Sequence, residues 1–501
     1  MYEDLFCSLY SQGVPFALID TRERRDYVNS HWFGSTNFPL STLNRKLRFL
    51  IPDVHFPIQF LDWQTEASRC AYETLRGLGY NNLTRHVTYA PQNFGSGFVQ
   101  GEYVWSKAFG EVLANLVEFQ EVEAADYIIE AERWSLFDVR PTTEYRAFTL
   151  PTSQSLPNSM LLGNLTRLLS SKTLPLFHCA GRTRSIIGAC TLLAAGYEGP
   201  FAVFKGGTQA WELVGQTREF AANRVFSIQS ETDGSCLWHL NKWKLPFTVT
   251  ALKDHEAFMA QRKGQLMFDV SDDSATGTML GSLIIKISGT NLIQQTDQLI
   301  ARYHVKVVLF DTGSGSRAAF AGFWLRLMGF SIEIILLKRP LEDIFPDVDK
   351  YKDATSRGAG SAKFEADCTI LDFRSSQDFE NCHIRKACWT NISQFLDRPQ
   401  AENAITIIGY NRQHLDFLKL ILKPKGWTVT NALIWQPSHF KKEDLINDTI
   451  EDPIDQSNFF AKRHQGNLQD SQGYLSWEES LPDQINPLIK EKFIKALSYY
   501  F

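Results

Sequence analysis

The sequence predicts an α/β protein made of four tandem copies of one domain, each a small parallel sheet flanked by helices. Three landmarks recur four times, in the same order, along the 501 residues. Each copy has an apolar run ending in aspartate, a second apolar run, and a helical stretch closed by glycine and an aromatic residue. Because the three landmarks keep order and spacing, we interpret the chain as a repeat at the scale of whole domains.

The first landmark marks the opening strand of each copy. Its aspartates are Asp20, Asp138, Asp269 and Asp372, and Asp-x-Arg follows in three of the four copies. The copies are therefore spaced by roughly 100–130 residues, which is too long for a solenoid repeat and suits one small domain each.

The second landmark is the strand that ends at Asp62, Cys179, Asp311 or Gly409, 42, 41, 42 and 37 residues after the aspartate of the same copy. The third landmark is formed by Gly79-Tyr80, Gly196-Tyr197, Gly329-Phe330 and Gly426-Trp427. A glycine suits a helix end because it adopts positive φ without a clash. Apolar strands separated by helices indicate a parallel sheet, and ligands of such sheets bind beyond the carboxyl ends of the strands.

We place the domain boundaries between these landmarks. The predicted units are 1–110, 120–225, 245–348, 362–442 and a C-terminal extension, 443–501, that ends in a helix. Linkers are expected near 110–128, 226–248 and 346–366, and an irregular polar segment over 441–485.

Composition excludes several classes of protein. The net charge of −5 provides no electrostatic footprint for nucleic acid. No apolar stretch approaches the roughly 18 residues of a membrane span, and the N-terminus lacks the pattern of a secretory signal. The eight cysteines contain no CxxC pair, which argues against a zinc ribbon and for a reducing compartment. We therefore expect a cytoplasmic protein.

The segment LPLFHCAGRTRSIIGAC contains the most informative chemistry in the chain. Cys179 ends a buried strand, a short loop follows, and a helix is predicted to begin around Ser185. Backbone N–H groups at such a helix start favour anions and stabilise a thiolate, and Arg182 and Arg184 add positive charge. We expect Cys179 to be a nucleophile. The candidate substrate-binding residues are Ala180, Gly181, Arg182, Thr183 and Arg184.

These features resemble a rhodanese domain. The resemblance rests on the Asp-x-Arg strand, the strand–Cys–loop–helix, and the later Lys205-Gly206-Gly207 followed by Trp211. Asp20-Thr-Arg22-Glu23 in the first copy is similar to the usual opening of that domain. Four copies in one chain resemble the bacterial four-domain rhodanese-type sulfurtransferases.

The resemblance implies sulfur transfer through a persulfide on Cys179. A small anionic donor such as thiosulfate would deliver a sulfane sulfur, and a thiol or cyanide would accept it. A protein thiol is another conceivable acceptor. Neither a metal nor an organic cofactor is implied, and neither are nucleic-acid or membrane partners.

Two other functions stay open from the residues. His178-Cys179 is shared with cysteine-dependent phosphatases, but their arginine follows the pattern Cys-x₅-Arg, whereas Arg184 gives Cys-x₄-Arg. Strand alternation predicts that His178 points to the opposite face of the sheet. A non-catalytic scaffold is the other alternative, because neither aspartate nor glycine can form a persulfide. We expect one active copy and three that scaffold, shield Cys179 or bind a partner.

Overall fold

The computed structural model describes residues 5–89, 97–170, 173–226, 235–252, 255–262, 264–280, 283–344, 369–398 and 404–501. These residues contain four sheets of four to six strands, and each predicted copy contributes one of them. Neighbouring strands within the four sheets run parallel, apart from one antiparallel pair in the third. The predicted linker 346–366 lies outside the described residues.

The first sheet has the strand order β3-β1-β4-β5, and β2 pairs separately with β6. Its elements are α1 (Leu5–Ser11), β1 (Ala17–Asp20), α2 (Arg24–Asn29), β2 (His31–Trp32), β3 (Thr36–Asn37), α3 (Leu43–Leu50), β4 (Ile58–Asp62), α4 (Glu66–Gly77), β5 (Leu83–Val87), β6 (Phe98–Val99) and α5 (Val104–Leu116).

The second sheet has the order β7-β11-β10-β8-β9. Its elements are β7 (Gln120–Val122), α6 (Ala124–Glu130), β8 (Trp134–Asp138), α7 (Thr142–Ala147), β9 (Gln154–Ser155), α8 (Leu165–Leu169), β10 (Leu174–His178), α9 (Thr183–Ala195), β11 (Ala202–Phe204) and α10 (Gly207–Leu213). Strand β10 is central, and its side chains are buried from Pro175 onward, as expected for a strand covered on both faces.

The third sheet has the order β12-β17-β16-β13-β15-β14. Its elements are α11 (Ser235–Lys242), β12 (Phe247–Thr250), α12 (His255–Gln261), β13 (Leu266–Asp269), β14 (Thr276–Leu280), β15 (Ile284–Ile287), α13 (Gly289–Gln294), α14 (Thr296–Leu299), β16 (Lys306–Thr312), α15 (Ser316–Leu327), β17 (Ser331–Leu337) and α16 (Leu341–Ile344).

The fourth sheet has the order β20-β18-β21-β22, and β19 pairs with β23 of the extension. The elements of this part are β18 (Thr369–Asp372), α17 (Ser376–Asn381), β19 (His383–Ile384), β20 (Ala387–Trp389), α18 (Ile392–Phe395), β21 (Ala404–Gly409), α19 (Arg412–Leu422), β22 (Thr428–Ile434), β23 (Leu445–Ile446), α20 (Leu468–Gln484) and α21 (Pro487–Leu497).

The sequence landmarks occupy matching positions in the four sheets. In each sheet the aspartate strand pairs in parallel with the strand of the second landmark: β1 with β4, β8 with β10, β13 with β16, and β18 with β21. Gly79, Gly196, Gly329 and Gly426 all have φ between 82° and 97°. Each of these glycines lies within two residues of the end of a helical segment, where positive φ would strain a residue with a side chain.

Three helices pack across the copies. Helix α5 contacts α9 of the second copy and also α20 and α21 of the extension. The linker expected at 110–128 is therefore wrong over its first part, since α5 is buried from Val104 to Leu113. The sequence predicts an irregular segment over 441–485, and this prediction is wrong over α20, which is a helix. No helix in the described ranges is long and apolar enough to cross a bilayer.

Candidate active site

Cys179 directly follows β10, at the carboxyl end of the second sheet. The next helix, α9, begins at Thr183, two residues before the predicted start at Ser185. The thiol is only 2% exposed, yet it lines a cavity of about 230 Å³. Ser185 places its hydroxyl 3.6 Å from the sulfur. The cysteine therefore faces a small enclosed space at the end of a strand.

The predicted site residues are brought together around this cavity. It is lined by Cys179, Ala180, Gly181, Arg182, Thr183 and Arg184. A continuous loop explains their convergence, because the chain must reverse from the strand into α9 within a few residues.

The loop is fixed by the start of α10. Thr208 donates its N–H to the carbonyl of Cys179 at 3.1 Å, and Gln209 donates its side-chain amide to the carbonyl of Ala180 at 3.2 Å. Gly207 has φ +56°, and a Cβ there would lie 2.3 Å from the carbonyl oxygen of Cys179. The glycine pair in Lys-Gly-Gly therefore allows α10 to approach the loop from Cys179 to Arg184 closely.

Both arginines of the loop are neutralised by carboxylates. Arg182 binds Glu111 at 3.1 Å and Glu479 at 3.0 Å. Arg184 binds Glu144 at 2.7 Å. Although burial disfavours its charge, Glu144 and the nearby Cys179 raise the pKa of Arg184. The guanidinium groups are thus oriented by protein acids before any substrate anion arrives.

The carboxylate of Glu478, on α20, lies against the loop that follows Cys179. It accepts the N–H of Arg182 at 3.3 Å, the hydroxyl of Thr183 at 2.6 Å and the ammonium of Lys107 at 2.9 Å. A Cβ at Gly181 would lie 2.6 Å from this carboxylate. Glu478 therefore satisfies donors at the start of α9, where negative charge is favourable.

The pair formed by Glu478 and Lys107 is buried. The side chains are 1% and 8% exposed. Burial opposes ionisation of Glu478, but Lys107, the hydrogen bond from Thr183 and the charge of Arg182 together outweigh it and lower the pKa of the carboxyl group. Both groups stay charged, and Lys107 also bonds to the hydroxyl of Tyr474. The wall of the cavity is thus a hydrogen-bonded ion pair between α5 and α20.

Glu111 differs from the other acids of the site. Burial and the negative charge of Glu478 raise its pKa to about 7, although Arg182 acts in the opposite direction. This carboxyl group therefore changes charge near neutral pH while it contacts Arg182.

The extension adds two more polar groups to the cavity. Arg463 holds its guanidinium 4.6 Å from the ring centre of Tyr474, and His464 has a buried Nδ1 without a partner in the described part of the chain. Burial, together with Arg463 and three other arginines, lowers the pKa of His464 to about 3. The neutral imidazole is thus available to a ligand in this cavity.

His178 and the Asp138–Arg140 pair support the sheet. His178 bonds through Nε2 to the hydroxyl of Ser153 at 2.7 Å, and burial lowers its pKa to about 4. Arg140 binds Asp138 through two nitrogens, at 3.0 and 2.7 Å, and both side chains are fully buried. None of these three residues lines the cavity at Cys179.

The sequence interpretation missed every site residue outside the loop. Lys107 and Glu111 lie on α5, at the edge of the segment that the sequence predicts to be a linker. Glu478 lies on α20. One signal was present in α20: Tyr474, Trp477, Glu478 and Leu481 follow the spacing of a helix face, and all four are buried.

Comparison with known proteins agrees with this geometry. Residues 121–213, which contain the loop, match the family model of the rhodanese-like domain. No curated protein matches the sequence. A thiosulfate sulfurtransferase from Pseudomonas aeruginosa is 23% identical, with a TM-score of 0.79 over 98% of this chain and 97% of that chain. This likeness shows a shared fold over almost the whole length.

A structure of a 3-mercaptopyruvate sulfotransferase from Escherichia coli is also similar. It is 13% identical, covers 44% of this chain and 98% of that chain, and has a TM-score of 0.22.

Proposed function

Because residues 121–213 are a rhodanese-like domain, we propose that this protein is a sulfurtransferase with Cys179 as its nucleophile. One observation carries the proposal: the cysteine that ends the central strand lines a cavity closed by the start of α9. We propose thiosulfate or a related sulfane donor, and a thiol or cyanide acceptor. The small volume favours a donor of a few atoms.

The reaction is a double displacement. The Cys179 thiolate attacks the outer sulfur of thiosulfate, a new S–S bond forms at Sγ, and the donor's S–S bond breaks with its electron pair leaving on sulfite. An acceptor thiolate then attacks the outer sulfur of the persulfide. The acceptor leaves as a persulfide, and the Cys179 thiolate is regenerated.

The surrounding charges suit this exchange of anions. Acids hold Arg182 and Arg184 in place, so a donor anion meets guanidinium groups that are already oriented. The same acids offset most of the positive charge of the two arginines. The hydroxyl of Ser185 lies 3.6 Å from the sulfur and donates to the carbonyl of Arg182 at 2.8 Å, so it must turn from that carbonyl to donate to the sulfur anion. Arg463 and His464 line the same cavity and can contact the departing oxyanion.

We further propose that all four sheets are rhodanese-like domains, over 1–110, 120–225, 245–348 and 362–442. The matching strand pairs and helix-end glycines support this division. With Asp62, Asp311 and Gly409 in place of cysteine, three copies would scaffold the active one. The described cysteines are free thiols, which suits the cytoplasm.

The proposal is tested by intact-mass measurement after incubation with thiosulfate. We expect the mass of one added sulfur, its loss in Cys179→Ser, and its retention in the control Cys388→Ser, which changes an exposed thiol. Failure of thiosulfate, mercaptopyruvate and glutathione persulfide to add sulfur would refute the proposal. Turnover of an aryl phosphate that requires Cys179 would instead assign a phosphatase.

A further inference from the structure

A second and larger cavity lies between the first and fourth copies. Its volume is about 450 Å³, within the range of small-molecule sites. Helix α3 of the first copy lines one side, and the turn before α19, including Tyr410 and Asn411, lines the other. That turn follows Gly409, the position that corresponds to Cys179. The cleft therefore occupies, in the fourth copy, the place that the catalytic cavity occupies in the second.

The wall formed by α3 is basic. Arg45, Lys46 and Arg48 all line the cleft. Lys46 donates to the carbonyl of Asn37 at 2.8 Å, and Arg48 donates to the side-chain amide of Gln413. Among the residues that the structure describes, none of these three cations has a carboxylate within 4.0 Å.

The carboxylates that line the cleft bond to groups other than the three cations of α3. Glu102 pairs with Arg24. Glu23 accepts hydroxyl groups of Ser41 and Ser393, both at 2.7 Å, and burial raises its pKa. Asp455 uses one oxygen to accept the N–H of Ser376 at 2.8 Å. The cations of α3 therefore have no direct carboxylate partner in the described part of the chain, although Glu102 and Asp297 oppose the charge of Lys46 from a distance.

The cations also repel one another. Burial and the charges of Arg24 and Arg45 lower the pKa of Lys46 to about 8. Arg45 acts in the same direction on His414 across the cleft, where burial and this charge lower the pKa to about 4. A bound anion would relieve this repulsion at Lys46 and between the two solvent-exposed arginines.

We propose that this cleft binds a small polyanion of the phosphate class at the fourth copy, which has Gly409 at the position of Cys179. Arginine side chains match phosphate oxygens with paired N–H donors, and two arginines one helical turn apart can hold two acidic groups. The volume admits a metabolite rather than a polymer. The overall charge of −5 also disfavours a nucleic-acid surface here.

The test is titration calorimetry of the full chain with inorganic pyrophosphate, alongside citrate as a carboxylate of comparable charge. We expect pyrophosphate to bind and raise the melting temperature, with binding at least about tenfold weaker in the double variant Arg45→Gln/Arg48→Gln. The control is Arg412→Gln, which removes an arginine next to the cleft that is 73% exposed and pairs with Asp416. That variant should bind as the wild type does.

The proposal would be overturned by no binding of pyrophosphate, by equal binding to the double variant, or by binding of citrate alone. If the double variant fails to fold, Lys46→Met provides the same comparison. Binding should be unchanged in Cys179→Ser, so the test does not depend on sulfur transfer. Competition by thiosulfate at Cys179 would place the anion in the catalytic cavity and also overturn the proposal.

Discussion

The first and second copies place a carboxylate at the loop after the second landmark strand in different ways. In the first copy, Asp62 accepts the side-chain amide of Gln64 at 2.6 Å and the hydroxyl of Ser68 at 3.0 Å, and it also pairs with Arg85. In the second copy, Cys179 keeps a single hydroxyl of its own helix at 3.6 Å. A carboxylate reaches that loop from the distant residue Glu478.

The difference shows what separates a structural loop from a reactive one. A carboxylate in the loop satisfies the loop's own donors and leaves nothing to react. A thiol in the same place is weakly bonded, and an acid from another part of the chain supplies the missing acceptor. We therefore expect the active copy to depend on its neighbours and the first copy to be self-sufficient.

The largest effect is expected from Cys179→Asp, which gives the second copy the residue type of the first. Without a nucleophile, sulfur transfer should fall by about 10³-fold or more. The measurement is the steady-state rate with thiosulfate and cyanide. Cys388→Ser is the matched control, and activity within tenfold of the wild type in Cys179→Asp would contradict the assigned nucleophile.

The next effect concerns the acid supplied from outside the loop. Glu478→Gln leaves Lys107 buried without its partner, so we expect a loss of about 3–5 kcal/mol in the free energy of unfolding. We also expect a roughly ten- to hundredfold lower transfer rate, because the loop loses its acceptor. Denaturant titration and initial rates measure the two quantities, with Asp483→Asn, which changes an 86% exposed acid of the same helix, as the control.

A double variant separates positioning from stability at Glu478. Lys107→Met/Glu478→Leu removes both charges and should recover most of the stability while the transfer rate stays low. Recovery of both would show that Glu478 is only structural.

A smaller effect is expected from pH. As Glu111 ionises through a pKa of about 7, it opposes the charge of Arg182 more strongly, so KM for thiosulfate should rise roughly two- to fivefold between pH 6 and 8. The raised pKa also means that the folded state binds the extra proton, so stability falls as pH rises from about 4.5 to 7. Glu111→Gln should flatten both profiles; unchanged profiles would contradict this role.

No gain is expected from the reverse exchange. Asp62→Cys, made in the Cys179→Ser background, should acquire no sulfur from thiosulfate, because the loop after position 62, WQTE, contains neither of the arginines that follow Cys179. Intact-mass measurement checks this. A mass increase would mean that the cysteine alone determines which copy is active.

The loop from Cys179 to Arg184 could be predicted because its residues are consecutive. They lie on one turn between a strand and a helix, and local rules for such turns place their side chains together. The parallel sheets could be predicted because apolar strands separated by helices recur at a similar spacing in each copy. Lys107, Glu111 and Glu478 could not be placed, since their proximity depends on how separate units pack.

Two helices were missed for identifiable reasons. Helix α5 is buried on all sides over most of its length, so it lacks the alternation of apolar and polar faces that marks a surface helix. Helix α20 contains Gly473 and Pro482, which are typical of loops. Its buried face is formed against the other copies and is invisible in composition.

Helix α5 follows the first sheet along the chain, yet Lys107 and Glu111 serve the second. A fragment that starts after residue 116 would keep the nucleophile but lose the cation that holds Glu478 and an acid that orients Arg182. The repeated units therefore cannot be exchanged or removed independently of one another. Under the proposed function, the parts of the chain outside the second copy are required because they contribute walls of the cavity at Cys179.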